Sequence, residues 1–176
     1  MCPPIPGNGI KGGNTCAYQE PDIISISMKA LLLTAFLSCA MLVLKAQNSK
    51  KMETTQDSIA ITQALENYYF KGIYEGDINI LRQIYYPGTL LFGDVKGQPY
   101  AKTLNQYLDG VAHRQSPKDS GKPFKGTIIS VDVVNSIAVA KVHVKMYDFN
   151  YDEFLSFHKI DNRWLIVNKM ITDVTE

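Results

Sequence analysis

Asp57-Ser58-Ile59-Ala60-Ile61-Thr62-Gln63-Ala64-Leu65-Glu66-Asn67-Tyr68-Tyr69-Phe70-Lys71-Gly72-Ile73-Tyr74-Glu75-Gly76 is the stretch whose reading decides the fold. Spacings of three and four residues put Ile61, Leu65, Tyr68, Tyr69 and Gly72 on one face of a helix. Ile59, Phe70 and Ile73 widen that face beyond a narrow seam, so the helix must be wrapped by other elements. Asp57 has the chemistry of an N-cap and Gly76 that of a helix stop.

The wrapping material follows. Asp77 is placed to cap a second helix over Ile78 to Tyr86, ended by Pro87-Gly88. Thr89–Phe92 reads as a short strand and Gly93 to Gln98 as a turn, after which Thr103 caps a third helix from Leu104 to about His113. Four strands then run in series: Phe124–Val134, Ile137–Phe149, Tyr151–Ile160 and Trp164–Thr172. Asp161-Asn162 supplies residues that tolerate the positive φ of a tight hairpin. Ala138, Ala140, Val142, Val144 and Met146 share one face of their strand, opposite Lys141, His143 and Lys145. In the last strand Trp164, Ile166 and Met170 oppose Leu165, Val167 and Ile171, so both faces need cover. One face can take the helices, and the other predicts a homodimer through the outer sheet face.

Upstream, residues 1–27 read as an unstructured extension. Met28-Lys29 precedes an apolar run, Ala30 to Leu44, too short to span a bilayer at ~18–20 residues and suited to a signal-peptide core. Residues 28–46 are therefore expected to be an export signal, 47–56 a flexible lead-in, and 57–176 the folded domain. The expected destination is periplasmic or secreted, with no membrane attachment after signal removal. A lipoprotein reading on Phe36-Leu37-Ser38-Cys39 ranks below it, because Cys39 sits inside the apolar run.

Composition narrows the chemistry. The chain has 176 residues; removing the first 47 takes three of 18 basic and two of 17 acidic residues, which leaves 15 of each. A neutral body argues against nucleic acid as partner, since phosphate binding needs clustered positive charge. Cys2, Cys16 and Cys39 all precede residue 47, so the body has no disulfide, thiol nucleophile or thiolate metal site. His113, His143 and His158 lack the close spacing of a metal pair, and no metal site is expected. No G-x-S-x-G supports a serine nucleophile.

The order helix, helix, short strand, helix and long antiparallel meander resembles the nuclear transport factor 2-like superfamily. Within it the chain is similar to the putative lumazine-binding family, close to the SnoaL-like polyketide cyclases. The resemblance rests on Asn67–Asp77 and Lys159–Lys169 and covers about residues 56–174. It implies an α+β cone-shaped roll, three N-terminal helices packed on a curved, mainly antiparallel sheet, with a cavity between the two. The family name implies a pterin-like ligand. Comparison with the related ketosteroid isomerases, aligned on Gly76-Asp77, puts Tyr69 at the position of an oxyanion-donating tyrosine. The base position falls at Gly93, beside Asp94, and the second acid on Leu155 or Ser156, neither of them acidic.

Three readings follow. The leading one is non-catalytic binding of a small, partly apolar molecule without a cofactor, with Tyr69, Phe92, Asp94, Tyr107, Trp164 and Asn168 as candidate ligand-binding residues. Asn168 enters as the polar residue in line with Trp164, Ile166 and Met170. The second is a cofactor-free isomerase or lyase working through Tyr69 and Asp94 as catalytic candidates. The third is an interaction module whose cavity is filled and whose Tyr69 is a core residue.

Overall fold

The computed structural model describes Lys45, Gln47 and residues 51–174. The expected extension at 1–27 lies outside the described residues, as does the expected signal at 28–46 apart from Lys45. The first helix, α1, runs over 51–75 and contains a π-helical segment, Leu65–Phe70, before its last turn, Lys71–Glu75. The expected lead-in is thus helical from residue 51, in keeping with the helix-favouring Lys51, Met52, Glu53 and Gln56. Asp57 lies inside α1 and is not its cap. Its carboxylate accepts hydrogen bonds from Trp164 Nε1 (3.0 Å) and Lys159 Nζ (2.8 Å), tying the helix to the far end of the sheet.

The π segment resets which side chains face inward. Each i→i+5 bond adds a residue to the turn, so an α-helical face cannot run straight through it. Ile61, Leu65, Tyr69, Phe70, Gly72 and Ile73 are buried, whereas Tyr68 and Ile59, expected on that face, are exposed. Gly76 ends the helix as expected, in the left-handed conformation at φ 70°.

Asp77 caps α2, Ile78–Arg82, by accepting the N–H groups of Asn79 (2.7 Å) and Ile80 (3.2 Å). This helix is shorter than expected, because Tyr85 already belongs to β1, Tyr85–Val95, which continues through Pro87-Gly88. The expected turn at Gly93–Gln98 shrinks to Lys96-Gly97, and β2, Gln98–Thr103, follows. Thr103 and Gln106 form a capping box that starts α3, Leu104–Ala112. A single turn, α4 (Pro117–Ser120), interrupts the loop to β3 (Phe124–Val134). The meander then continues through β4 (Ile137–Met146), β5 (Phe149–Ile160) and β6 (Arg163–Asp173).

The six strands form one sheet in the order β2-β1-β6-β5-β4-β3, antiparallel except for the β1–β6 pair. The helices cover one face, and the core lies between them and the inner side chains of β4, β5 and β6. On β4 the inner set is Ala138, Ala140, Val142, Val144 and Met146, as the alternation predicts. On β5 it is Tyr151, Glu153, Leu155 and Phe157. Asp161 and Asn162 adopt positive φ, 48° and 59°, in the hairpin between β5 and β6.

β6 departs from simple alternation. Ser156 pairs with Asn168 and Phe157 with Ile166, leaving Val167 as an extra residue in the ladder. Before this bulge Trp164 and Ile166 point inward; after it Lys169 and Ile171 do, while Met170 is turned out and 54% exposed. The expected face shared by Trp164, Ile166, Asn168 and Met170 is therefore broken in the middle. Ile171, expected outside, is core. Among the described residues no helix is long and apolar enough to cross a membrane.

Candidate functional site

The bulge carries an ammonium group into the core. Lys169 Nζ lies 2.6 Å from Glu153 Oε1 and donates to Tyr69 Oη at 2.7 Å, while the Tyr69 hydroxyl donates to Glu153 Oε2. The three residues expose 3%, 2% and 0% of their surfaces, so this is a closed, buried ring of charge and hydrogen bonds. Lys169 Nζ also sits 5.3 Å from the Tyr69 ring centre and 5.2 Å from that of Tyr107, within cation–π range. Each partner comes from a different element: α1, β5 and β6.

Above Glu153 and Lys169 opens a cavity of about 180 Å³. Ile73, Val111, Val144, Met146 and Ile171 give it apolar walls. Tyr100, Tyr107 and Tyr151 add aromatic ones, and Lys102, Gly110 and Arg114 complete the lining. The Arg114 Nε and Nη2 atoms are buried and have no hydrogen-bond partner among the described residues.

Burial dominates the tyrosine electrostatics. It pushes the Tyr69 and Tyr85 hydroxyls well above the usual tyrosine range, and the nearby Glu153 carboxylate adds to the effect on both. Tyr107 is raised by burial against the opposing pull of Arg114. Tyr151 is pushed up to about 12, first by burial and then by Asp173. A group whose folded pKa lies above its unfolded value of 10.0 favours folding fully below that value and loses the contribution as pH rises through the folded pKa. Alkaline unfolding should therefore set in above about pH 10 and coincide with a cooperative rise in tyrosinate absorbance. Non-cooperative titration of all tyrosines near pH 10 in a folded protein would contradict this.

The structure brings together few of the residues expected at the site. Tyr107 lines the cavity. Tyr69 lies beneath it, its hydroxyl committed to Glu153 and Lys169. Asp94 accepts a hydrogen bond from Thr172 Oγ1 at 3.1 Å, and it is the following residue, Val95, that reaches the cavity. Phe92 is 44% exposed and faces outward from β1. Trp164 is held by Asp57, and Asn168 donates from Nδ2 to the Leu90 carbonyl at 3.1 Å on the outer face. The acid beside Tyr69 is Glu153, not Leu155 or Ser156. Glu153 was legible as the charged member of the alternating set Tyr151, Glu153, Leu155 and Phe157; Lys169 was hidden by the bulge.

Tyr69→Phe removes a hydroxyl bonded to two charged groups and should destabilise the fold by about 1.5–3 kcal/mol. Urea denaturation measures it, and an unchanged midpoint would show that water or a rearranged Lys169 replaces the hydroxyl.

Among the described residues no group of three His, Cys, Asp or Glu side chains is placed to hold a metal ion. Solved structures with this fold include a nuclear transport factor 2-like protein of unknown function from Shewanella baltica, 22% identical, with a TM-score of 0.61 over 69% of this chain and 97% of that one. Another, from Silicibacter pomeroyi, is 21% identical, with a TM-score of 0.62 over 69% of this chain and 98% of that one. A third, from Methylobacillus flagellatus, is 21% identical, with a TM-score of 0.61 over 68% and 94%. No curated protein matches the chain. The family model described as putative lumazine-binding matches residues 56–172, the stretch that holds most of α1, all of the sheet but its last residue, and the Tyr69–Glu153–Lys169 ring. The chain thus belongs to the putative lumazine-binding family, and its fold is that of these nuclear transport factor 2-like proteins.

Proposed function

We propose that this domain is a non-catalytic receptor for a small, partly apolar molecule held between the helices and the inner face of the sheet. The observation that carries the reading is the cavity of about 180 Å³ above a buried ion pair. An open cavity supports binding over an interaction module whose cavity is filled. Its volume is close to the ~150 Å³ that holds a benzene in an apolar cavity. That supports a ligand with one ring over the fused two-ring pterin suggested by the family name. The isomerase or lyase reading finds little support, because Tyr69 and Asp94 do not converge: one is spent on Glu153 and Lys169, the other on Thr172. Nuclear magnetic resonance screening with single-ring compounds should give shifts clustered at Ile73, Tyr107, Val111 and Val144. Shifts confined to the outer sheet face, or none, would overturn the reading.

Export and dimerisation belong to the same proposal. The apolar run Ala30–Leu44 after Lys29 supports a cleaved leader, and a mature protein from the native host that retains Met1 would refute it. The outer sheet face exposes Leu90, Phe92, Val139, Phe154 and Met170. Leu165 and Val167 are half-buried, and a groove of about 570 Å³ lies beside Val134, Ile137 and Val167. Patches of this kind mark association surfaces. Sedimentation should give twice the monomer mass, and Met170→Lys should give a folded monomer. A wild type that is monomeric at tens of micromolar would rule the dimer out.

A further inference from the structure

The cavity has an electrical imbalance. Of the charged groups that line it, Glu153 is saturated, since one oxygen takes the Lys169 ammonium and the other the Tyr69 hydroxyl. Lys169 is neutralised by the same contact. Lys102 is exposed and stands 5.0 Å from the centre of the Tyr100 ring. That leaves the Arg114 guanidinium. Asp173 acts on the neighbouring Tyr151; its Oδ2 receives the Lys96 N–H, its Oδ1 is buried without a hydrogen-bond partner, and neither oxygen pairs with Arg114.

The identity of the free donors is informative. Nε and Nη2 are the two nitrogens on one edge of the guanidinium, whose N–H groups run parallel and match the two oxygens of a carboxylate. Buried donors without partners are rare in folded proteins and unfavourable where they occur. Here a matched pair of them belongs to a side chain lining a cavity with aromatic and aliphatic walls. Building on the cavity as the binding site, we propose that its ligand is a single-ring monocarboxylate, its ring between Tyr107, Val111 and Val144 and its two oxygens on Arg114 Nε and Nη2. A carboxylate supplies the two missing acceptors and the missing negative charge at once. A neutral ring satisfies neither.

Three probes of nearly equal size test this: benzoate, benzamide and benzylamine, titrated by calorimetry into the full domain. Benzoate should bind about tenfold or more tightly than benzamide, and benzylamine should not bind. In Arg114→Met the preference for benzoate should vanish, and in Arg114→Lys, which keeps charge but not the fork, it should be partly restored. Without ligand, Arg114→Met should also melt at or above the wild-type temperature, because an unpaired buried donor pair has gone; a purely structural arginine would lower it. Equal binding of benzoate and benzamide, or a benzoate preference that survives Arg114→Met, overturns the carboxylate proposal and leaves the cavity as a binding site. Failure of every probe at millimolar concentration overturns both.

Discussion

Replacing Lys169 by methionine should destabilise the protein by about 3–5 kcal/mol, the effect of leaving one buried charge without its partner. Methionine fills much the same volume, so the loss is electrostatic: Glu153, 2% exposed, keeps its desolvation and loses its ammonium. Denaturant titration reads the difference directly. The triple variant Tyr69→Phe, Glu153→Met, Lys169→Met should behave in the opposite way. An apolar cluster of similar volume removes every desolvation penalty at once, so its stability should return to the wild-type level or exceed it. A triple variant as unstable as Lys169→Met alone would make the ring a structural device. Recovery would leave ligand binding as the reason a buried ion pair sits under the cavity.

The second large effect concerns Gly93. Its φ is 143°, and a Cβ there would lie 1.8 Å from the Ile171 carbonyl oxygen. β1 passes so close to β6 at this point that no side chain fits without moving backbone. Gly93→Ala should therefore cost about 3 kcal/mol or more, combining a disfavoured backbone conformation with displacement of a paired strand. The contact also positions Val95 and Ile171, both of which line the cavity. Gly97→Ala makes the comparison: φ there is 68°, but an added Cβ meets nothing within 4 Å. Its cost should stay near 1–2 kcal/mol. Equal losses in the two variants would show that the close approach of β1 and β6 is unimportant.

Much of the fold was legible because local chemistry and period agree over long stretches. The Asp77 cap, the Thr103 cap, the Asp161-Asn162 hairpin and the alternation of β4 all appear in the structure as the residues predict. The site was much less legible. Two irregularities decide it, and both break a period rather than produce one. The π segment at Leu65–Phe70 keeps Tyr69 inside while turning Tyr68 out, and the extra residue at Val167 turns Lys169 in and Met170 out. A strict period of two assigns the end of β6 to the wrong faces. β2 escaped notice because Gln98-Pro99-Tyr100-Ala101-Lys102-Thr103 is an edge strand with little apolar surface. Arg114 follows the end of α3, where nothing in the local pattern separates a cavity residue from a solvated one.

The central claim is that the cavity is occupied in function, and Gly110 offers a clean way to close it. Gly110 lines the cavity from α3, and a Cβ added there meets nothing within 4 Å. Gly110 is exposed at the rim, so Gly110→Phe should place a ring over the mouth of the cavity and, by replacing a helical glycine, leave stability unchanged or raise it by up to about 1 kcal/mol. The measurement is mass spectrometry of small molecules released on denaturation from wild type and Gly110→Phe, purified side by side from the native host. The account predicts a compound of single-ring size released by wild type in amounts comparable to the protein and missing from an equally stable Gly110→Phe. The same release from both proteins, or none from either, would contradict it.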